Sequence, residues 1–327
     1  MTTLPCRRKS DHLLKMTLLL TLTMCGLTCC VAQGQTDPRI ASVEAQIARN
    51  LASIHTAEQQ HLPQAQQGAL WGKVALEYQS IAVFQKAEDA YNRSLHMLKN
   101  APAAGPEYAS TLDNLATLYL SYDRVDDAES TEKQALMERK KLGKLSEIGL
   151  SEIRLADVAL VRHQYNKAEQ QAQRAIADME SAPEPPITGM LSAFITLAYA
   201  RCSRGHCDAG MTSAEQAVEF ANKMFGPESA ATGFAFETLG FAKWKSGDRQ
   251  EGEKAMLQAL KILKTRLAAG DPRLAGVMLQ YRTFLLEAHR TAEAQDLQQQ
   301  VTTITRQAGL SCPSCSISVH SLENSFR

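Results

Sequence analysis

Asn114-Leu115-Ala116-Thr117-Leu118-Tyr119, followed by Asp127-Ala128-Glu129 and Gln134-Ala135-Leu136, is the stretch from which the rest of the chain can be read. Its small residues Ala116, Ala128 and Ala135 stand 12 and then 7 positions apart, and the same triplet returns along the sequence. The first column holds Ala75, Ala116, Ala156, Ala198, Gly240 and Arg282, at intervals of 41, 40, 42, 42 and 42 residues. The second holds Ala87, Ala128, Ala168, Gly210, Gly252 and Ala294, and the third Ser94, Ala135, Ala175, Ala217, Ala259 and Val301. An interval of about 20 to 50 residues marks stacked units that bury their apolar faces against one another. Small residues recur for a steric reason: two helices approach to about 8 Å only where alanine or glycine replaces a larger side chain. Each unit is therefore expected to be a helical hairpin.

Apolar residues flank the columns. Val74, Leu115, Leu155, Leu197, Leu239 and Tyr281 precede the first, and Leu95, Leu136, Ile176, Val218, Leu260 and Thr302 follow the third, giving each helix a buried stripe. Short polar turns such as 121–127 and 246–250 separate the two helices of a unit. Breaker-rich stretches at 102–106, 183–189, Gly226-Pro227 and Gly270-Asp271-Pro272 separate one unit from the next. Strand-like alternation rich in Val, Ile and Thr is missing beyond the N-terminal segment, so the fold class is expected to be all-α. The 327 residues are 44% hydrophobic but only 6% aromatic, which suits a long interface of alanine and leucine. Ile40, Val43, Ile47, Leu51 and Ile54 keep helical spacing and predict an extra helix covering the first unit.

These residues resemble the tetratricopeptide repeat, and the interval near 42 is closer to its long, kinesin-light-chain-like subclass than to the usual length of about 34. The fold that the resemblance implies is a right-handed α-solenoid of stacked antiparallel hairpins. A capping helix and linker would occupy 33–67, six repeats 68–108, 109–148, 149–190, 191–232, 233–274 and 275–307, and a flexible Cys/Ser-containing tail 308–327. Arg282, in a column of small residues, suits a terminal unit whose outer face meets water. The resemblance also implies a concave surface, lined by the first helix of each unit, that accepts a protein or peptide ligand. The side chains expected there are Lys73, Asn114, Arg154, Thr196 and Thr238, and, three positions on, Leu76, Thr117, Asp157, Tyr199 and Phe241. Asn114 alone matches the asparagine that resembles a clamp on peptide backbone in kinesin light chains; its carboxamide has two donors and an acceptor. Lys73 and Arg154 would favour an acidic ligand. Tyr199 and Phe241 either form an apolar anchor or pack between helices, while Trp244 is expected to be exposed.

Residues 1–32 read differently. Arg7, Arg8, Lys9 and Lys15 precede the apolar run 16–32, which ends in Cys30-Val31-Ala32, the pattern of a secretion signal cleaved after Ala32. The run is short for a membrane span of about 20 residues, and no cysteine in it follows a convincing lipidation motif. The protein is thus expected to be exported, periplasmic or secreted, with membrane contact only if the signal is retained or lipidated. Removal of 1–32 leaves 31 basic against 34 acidic residues, and no stripe of Lys and Arg interleaved with aromatics appears, so nucleic acid is not an expected partner. The cluster 133–144 reads as the solvated face of a second helix.

Four cysteines remain beyond the signal: Cys202, Cys207, Cys312 and Cys315. Their close pairing fits local disulfides, a metal site beside His206, or, for Cys207, a small buried hydrophobe. No phosphate loop, His-Glu-x-x-His pair or Gly-x-Ser-x-Gly elbow occurs, and neither a cofactor nor a catalytic residue is expected. Two classes of function follow: an exported non-catalytic scaffold or adaptor, or a redox- or metal-responsive envelope protein built around the cysteine pairs.

Overall fold

The computed structural model describes residues 38–81, 83–121, 124–267 and 271–307. The expected signal and the tail with Cys312 and Cys315 lie outside the described residues. Contacts divide the chain into Met1–Ala41, of which only the opening turn of a helix is described, and Ser42–Arg327, which holds the solenoid. The described residues contain helices and no strand. Helix α1 (Pro38–Gln59) is followed by six antiparallel pairs: α2 (Gln64–Ser80) with α3 (Phe84–Leu98), α4 (Gly105–Ser121) with α5 (Val125–Leu142), and α6 (Leu145–Val161) with α7 (Tyr165–Glu180). Then come α8 (Ile187–Ser203) with α9 (Cys207–Phe225), α10 (Ala230–Ser246) with α11 (Arg249–Arg266), and α12 (Pro272–Glu287) with α13 (Thr291–Gln307). Each hairpin stacks on the next, and successive first helices approach one another more closely than successive second helices do. First helices therefore form the inner layer. The hairpins start three or four residues ahead of the expected repeat boundaries.

The columns do the work that their composition requires. Every member is buried except Arg282, which is half-exposed on the last hairpin. At the fifth hairpin the approach is backbone to backbone: a Cβ added at Gly252 would stand 2.8 Å from Trp244 N and 3.1 Å from Gly240 O. Ile47, Ile54 and Ala57 of α1 are buried, and Asn50 donates to Glu77 of α2 at 2.7 Å. One turn position is common to several hairpins. His163, Gly205, Gly247 and His289 all have positive φ there, between 58° and 99°, a left-handed conformation that glycine, and to a lesser degree histidine, tolerates. His163 and His289 thus mark turn geometry.

An ion-pair rung, not anticipated from the sequence, joins neighbouring units at one height. The residue after the second small column is Glu88, Glu129, Glu169, Met211 and Glu253. Arg124 of the next hairpin meets Glu88 at 2.8 Å, Arg162 meets Glu129 at 3.0 Å, Arg201 meets Glu169 at 3.0 Å, and Arg290 pairs with Glu253. The junction between the fourth and fifth hairpins, with Met211, carries apolar packing of Ala198, Cys202, Ala214 and Ala242 instead.

Gly252→Ala tests the close approach. In an unobstructed helix the change would stabilise by up to about 1 kcal/mol. Here urea unfolding should show a loss of about 1–3 kcal/mol from overpacking, whereas Ala292→Leu on the exposed side of α13 should lie within about 0.5 kcal/mol of wild type.

Candidate functional site: the inner layer of first helices

Along the inner layer the expected ligand-facing residues fall into three groups. Lys73 and Leu76 of α2 are exposed, Leu76 at 43%, and Asn114 of α4 is half-exposed. Among the described residues no hydrogen bond or ion pair within the chain occupies the side chain of Lys73 or Asn114. The second group lies at the second to fourth hairpins and is buried, apart from the partly exposed Arg154. Thr117 donates to Asp113 O at 3.1 Å, and Thr196, with no exposed surface, donates to Asp157 Oδ1 at 2.7 Å. Arg154 lies between two carboxylates, its Nε 3.7 Å from Asp113 and its Nη1 4.0 Å from Asp157. Arg154 is thus engaged by its own chain.

The third group fills the C-terminal half. Tyr199 stacks on Phe241 with ring centroids 4.5 Å apart at 27°. The Tyr199 hydroxyl donates to Glu237 of α10, and Gln280 Oε1 of α12 lies 3.2 Å away, so side chains of three successive first helices meet. Thr238 is fully buried and donates to Phe234 O at 3.0 Å. Trp244, expected to be exposed, is buried: its indole lies parallel to Phe284 at 4.3 Å and donates to Glu287 at 2.6 Å. Its burial has a physical reason, since the last hairpin docks through large side chains and the indole is both the packing surface and a donor with a partner in reach.

The buried polar cluster behind Asn114 was not foreseen. Asp113 of α4, Glu132 and Arg139 of α5, and Ser151 and Asp157 of α6 are all nearly inaccessible. Arg139 Nη1 donates to Ser151 at 2.6 Å and to Asp113 at 3.3 Å, and stands 3.9 Å from Glu132. Arg139 therefore belongs to the interior, and the 133–144 stretch is not solvated throughout. The sequence did carry a signal for this. Asp113 occupies a column that holds Ile153 and Ile195, Glu132 one that holds Ala172 and Ala214, and Arg139 one that holds Leu98, Met179 and Leu263. Three carboxylates face two guanidinium groups. Burial, and then the charge of Asp113, push the Glu132 carboxyl well above the usual carboxylate range despite Arg139, Ser151 and Arg154, which favours its neutral form. A proton on Glu132 would balance the two remaining carboxylates against the two guanidinium groups.

Cys202 and Cys207 are free thiols, the first buried and the second half-exposed. Among the described residues no three His, Cys, Asp or Glu side chains come together as metal ligands. A polar hollow at the turn between α6 and α7 is lined by His163, Tyr165, Lys167 and Arg204 among others; His163 Nδ1 and the Tyr165 hydroxyl lie 2.7 Å apart there, and Arg204 is already paired with Glu169.

The sequence matches no protein-family model and no curated protein. Among solved structures the chain is similar to the apo form of RapI, with a TM-score of 0.65 and 13% identity over 79% of this chain and 91% of that one. It is similar to aspartyl phosphate phosphatase F from Bacillus subtilis, with a TM-score of 0.65 and 14% identity over 83% and 70%. BtubC (BKLC) from P. vanneervenii gives a TM-score of 0.56 and 20% identity over 68% and 91%. At these identities the likeness is one of fold, a tetratricopeptide-like helical repeat solenoid.

The buried cluster makes two stability predictions. Removing one member, as in Arg139→Leu, should cost about 3–5 kcal/mol by leaving buried carboxylates uncompensated, whereas Asp113→Ile, Glu132→Ala and Arg139→Leu together should recover most of it. Glu132 binds its proton more tightly folded than unfolded, so its contribution is complete below the unfolded pKa near 4.3 and is lost as pH rises through the folded value. Glu132→Gln should accordingly flatten the fall in unfolding free energy above about pH 4.3; an unchanged pH profile would show that Glu132 is ionised in the native state.

Proposed function

We propose that this protein is an exported, non-catalytic adaptor that holds an extended protein segment along the first helices of its N-terminal hairpins. The contrast along the inner layer supports this reading. Its C-terminal half is filled by the chain's own Tyr199, Phe241 and Trp244, while Lys73, Leu76 and Asn114 at the other end keep surface and have no partner within the described residues. Lys73 and Asn114 share one column a single repeat apart, which places an ammonium and a carboxamide on adjacent inner helices. A carboxamide matches both groups of a peptide unit, Lys73 suits a carboxylate, and Leu76 adds apolar contact. With Arg154 drawn into the interior, the acidic preference rests on Lys73 alone. Export rests on the basic and then apolar residues 1–32. Among the described residues no helix is long and apolar enough to cross a membrane.

A photo-crosslinking residue in place of Leu76 should capture the ligand in the source cells. Lys73→Glu and Asn114→Ala should each reduce its yield about tenfold, equivalent to about 1.4 kcal/mol, while Leu257→Ser on α11 should not. Equal capture by all variants would remove the inner face as the binding site. Terminal sequencing separately tests export: a mature chain beginning at Gln33 outside the cytosol is the expected product, and a cytosolic chain retaining Met1 would contradict it.

A further inference from the structure

The turn between α8 and α9 brings two thiols together. Cys202 lies in the last turn of α8, and Cys207 is the first residue of α9, a position held by Phe84, Val125 and Tyr165 in the preceding hairpins. The two side chains cross. Cys202 Sγ lies 4.0 Å from Cys207 O, and Cys207 Sγ lies 3.7 Å from Cys202 O. The space they share depends on Gly210, where an added Cβ would stand 2.4 Å from Cys202 Sγ. Cys202 is only 5% exposed and Cys207 half-exposed, so a reagent in solution reaches one of them first. His206 does not join them in a metal-binding group, since no such group of three exists among the described residues.

We propose that Cys202 and Cys207 form a reversible dithiol/disulfide couple that, on reaction with a small disulfide such as oxidised glutathione, ties the end of α8 to the start of α9. The reaction runs in two exchanges. The Cys207 thiolate attacks one sulfur of the oxidised glutathione, forming a mixed disulfide and expelling one glutathione thiolate. Cys202 then loses its proton to solvent and attacks the Cys207 sulfur, forming the internal disulfide and expelling the second glutathione. Two electrons pass from the protein thiols to glutathione, and the two protons leave with the products. The roles follow from the surroundings. Cys207 is half-exposed and is therefore the thiol that a reagent in solution meets first. Burial, together with neighbouring Cys207, pushes the Cys202 thiol up to about 12, which fits the residue that acts second. The bond would brace the fourth hairpin at the junction where Met211 replaces the glutamate of the ion-pair rung. This inference does not depend on the ligand reading above.

The full-length chain, equilibrated with oxidised glutathione, alkylated and mapped by mass spectrometry, decides the matter. Wild type should lose both alkylation sites at Cys202 and Cys207 and become lighter by two hydrogens in one linked peptide pair, and dithiothreitol should restore both. The thermal midpoint of the oxidised form should rise by roughly 2–8 °C and fall back on reduction. Cys202→Ser should stop at a glutathione adduct on Cys207; Cys202→Ala serves if the serine variant does not fold. Retention of both alkylation sites in wild type, arrest of wild type at the adduct, or pairing of Cys207 with Cys312 or Cys315 would each overturn the proposal.

Discussion

The solenoid depends on how near two helix axes can come at three heights in each hairpin. Alanine, serine or glycine at those heights lets backbone meet backbone, and the surrounding leucines, isoleucines and methionines then close over the contact. Once that spacing is set, the inner layer follows. First helices lie near one another, their inward side chains lose most of their solvent, and polar residues on them must find partners in neighbouring units. The last hairpin departs from this rule: Arg282 replaces a small residue, and docking proceeds through Trp244 on Phe284.

Two electrostatic systems operate under these conditions and differ in worth. The rungs between Arg124 and Glu88, Arg162 and Glu129, Arg201 and Glu169, and Arg290 and Glu253 keep contact with solvent, where such pairs contribute about 0–1 kcal/mol each. The Asp113, Glu132, Arg139 and Asp157 side chains are nearly inaccessible and Arg154 is partly so, and desolvation offsets most of their Coulomb attraction. The cluster links specific neighbours, because Arg139 of the second hairpin donates to Ser151 of the third and Arg154 of the third stands 3.7 Å from Asp113 of the second. The two systems also respond oppositely to acid. Lys133 holds Glu129 below the usual range, and at Glu169 the hydrogen bonds of Arg201 and Arg204 outweigh burial, so both contribute above the unfolded carboxylate pKa and lose that contribution as pH falls; Glu132 behaves in the reverse sense.

The inner layer is consequently not one continuous groove. Aromatic stacking and the Tyr199, Glu237 and Gln280 contacts consume its C-terminal half, and the buried cluster takes Arg154 and Asp157 from its middle. What keeps surface lies toward the N-terminal hairpins, around Lys73, Leu76 and Asn114. A repeat surface acquires specificity by local departures from its own pattern, and here those departures divide a formally periodic face into a closed part and an open one.

Periodicity alone was enough to determine the hairpins, their order and the all-α class, because the steric demand for small residues repeats with the architecture that imposes it. The departures from periodicity were also visible: Asp113, Glu132 and Arg139 stand in columns that are apolar in most other hairpins, but a charged residue in such a column does not name its partner. Partnership was decided by the tertiary structure. Arg139 reaches Asp113 and Ser151, Trp244 finds Glu287 and Phe284, and Arg162 finds Glu129 only after neighbouring hairpins take up a particular stagger. A repeat interval sets the spacing of units along the chain and leaves that stagger free, so which side chains meet across roughly one repeat length becomes known only when the helices are packed.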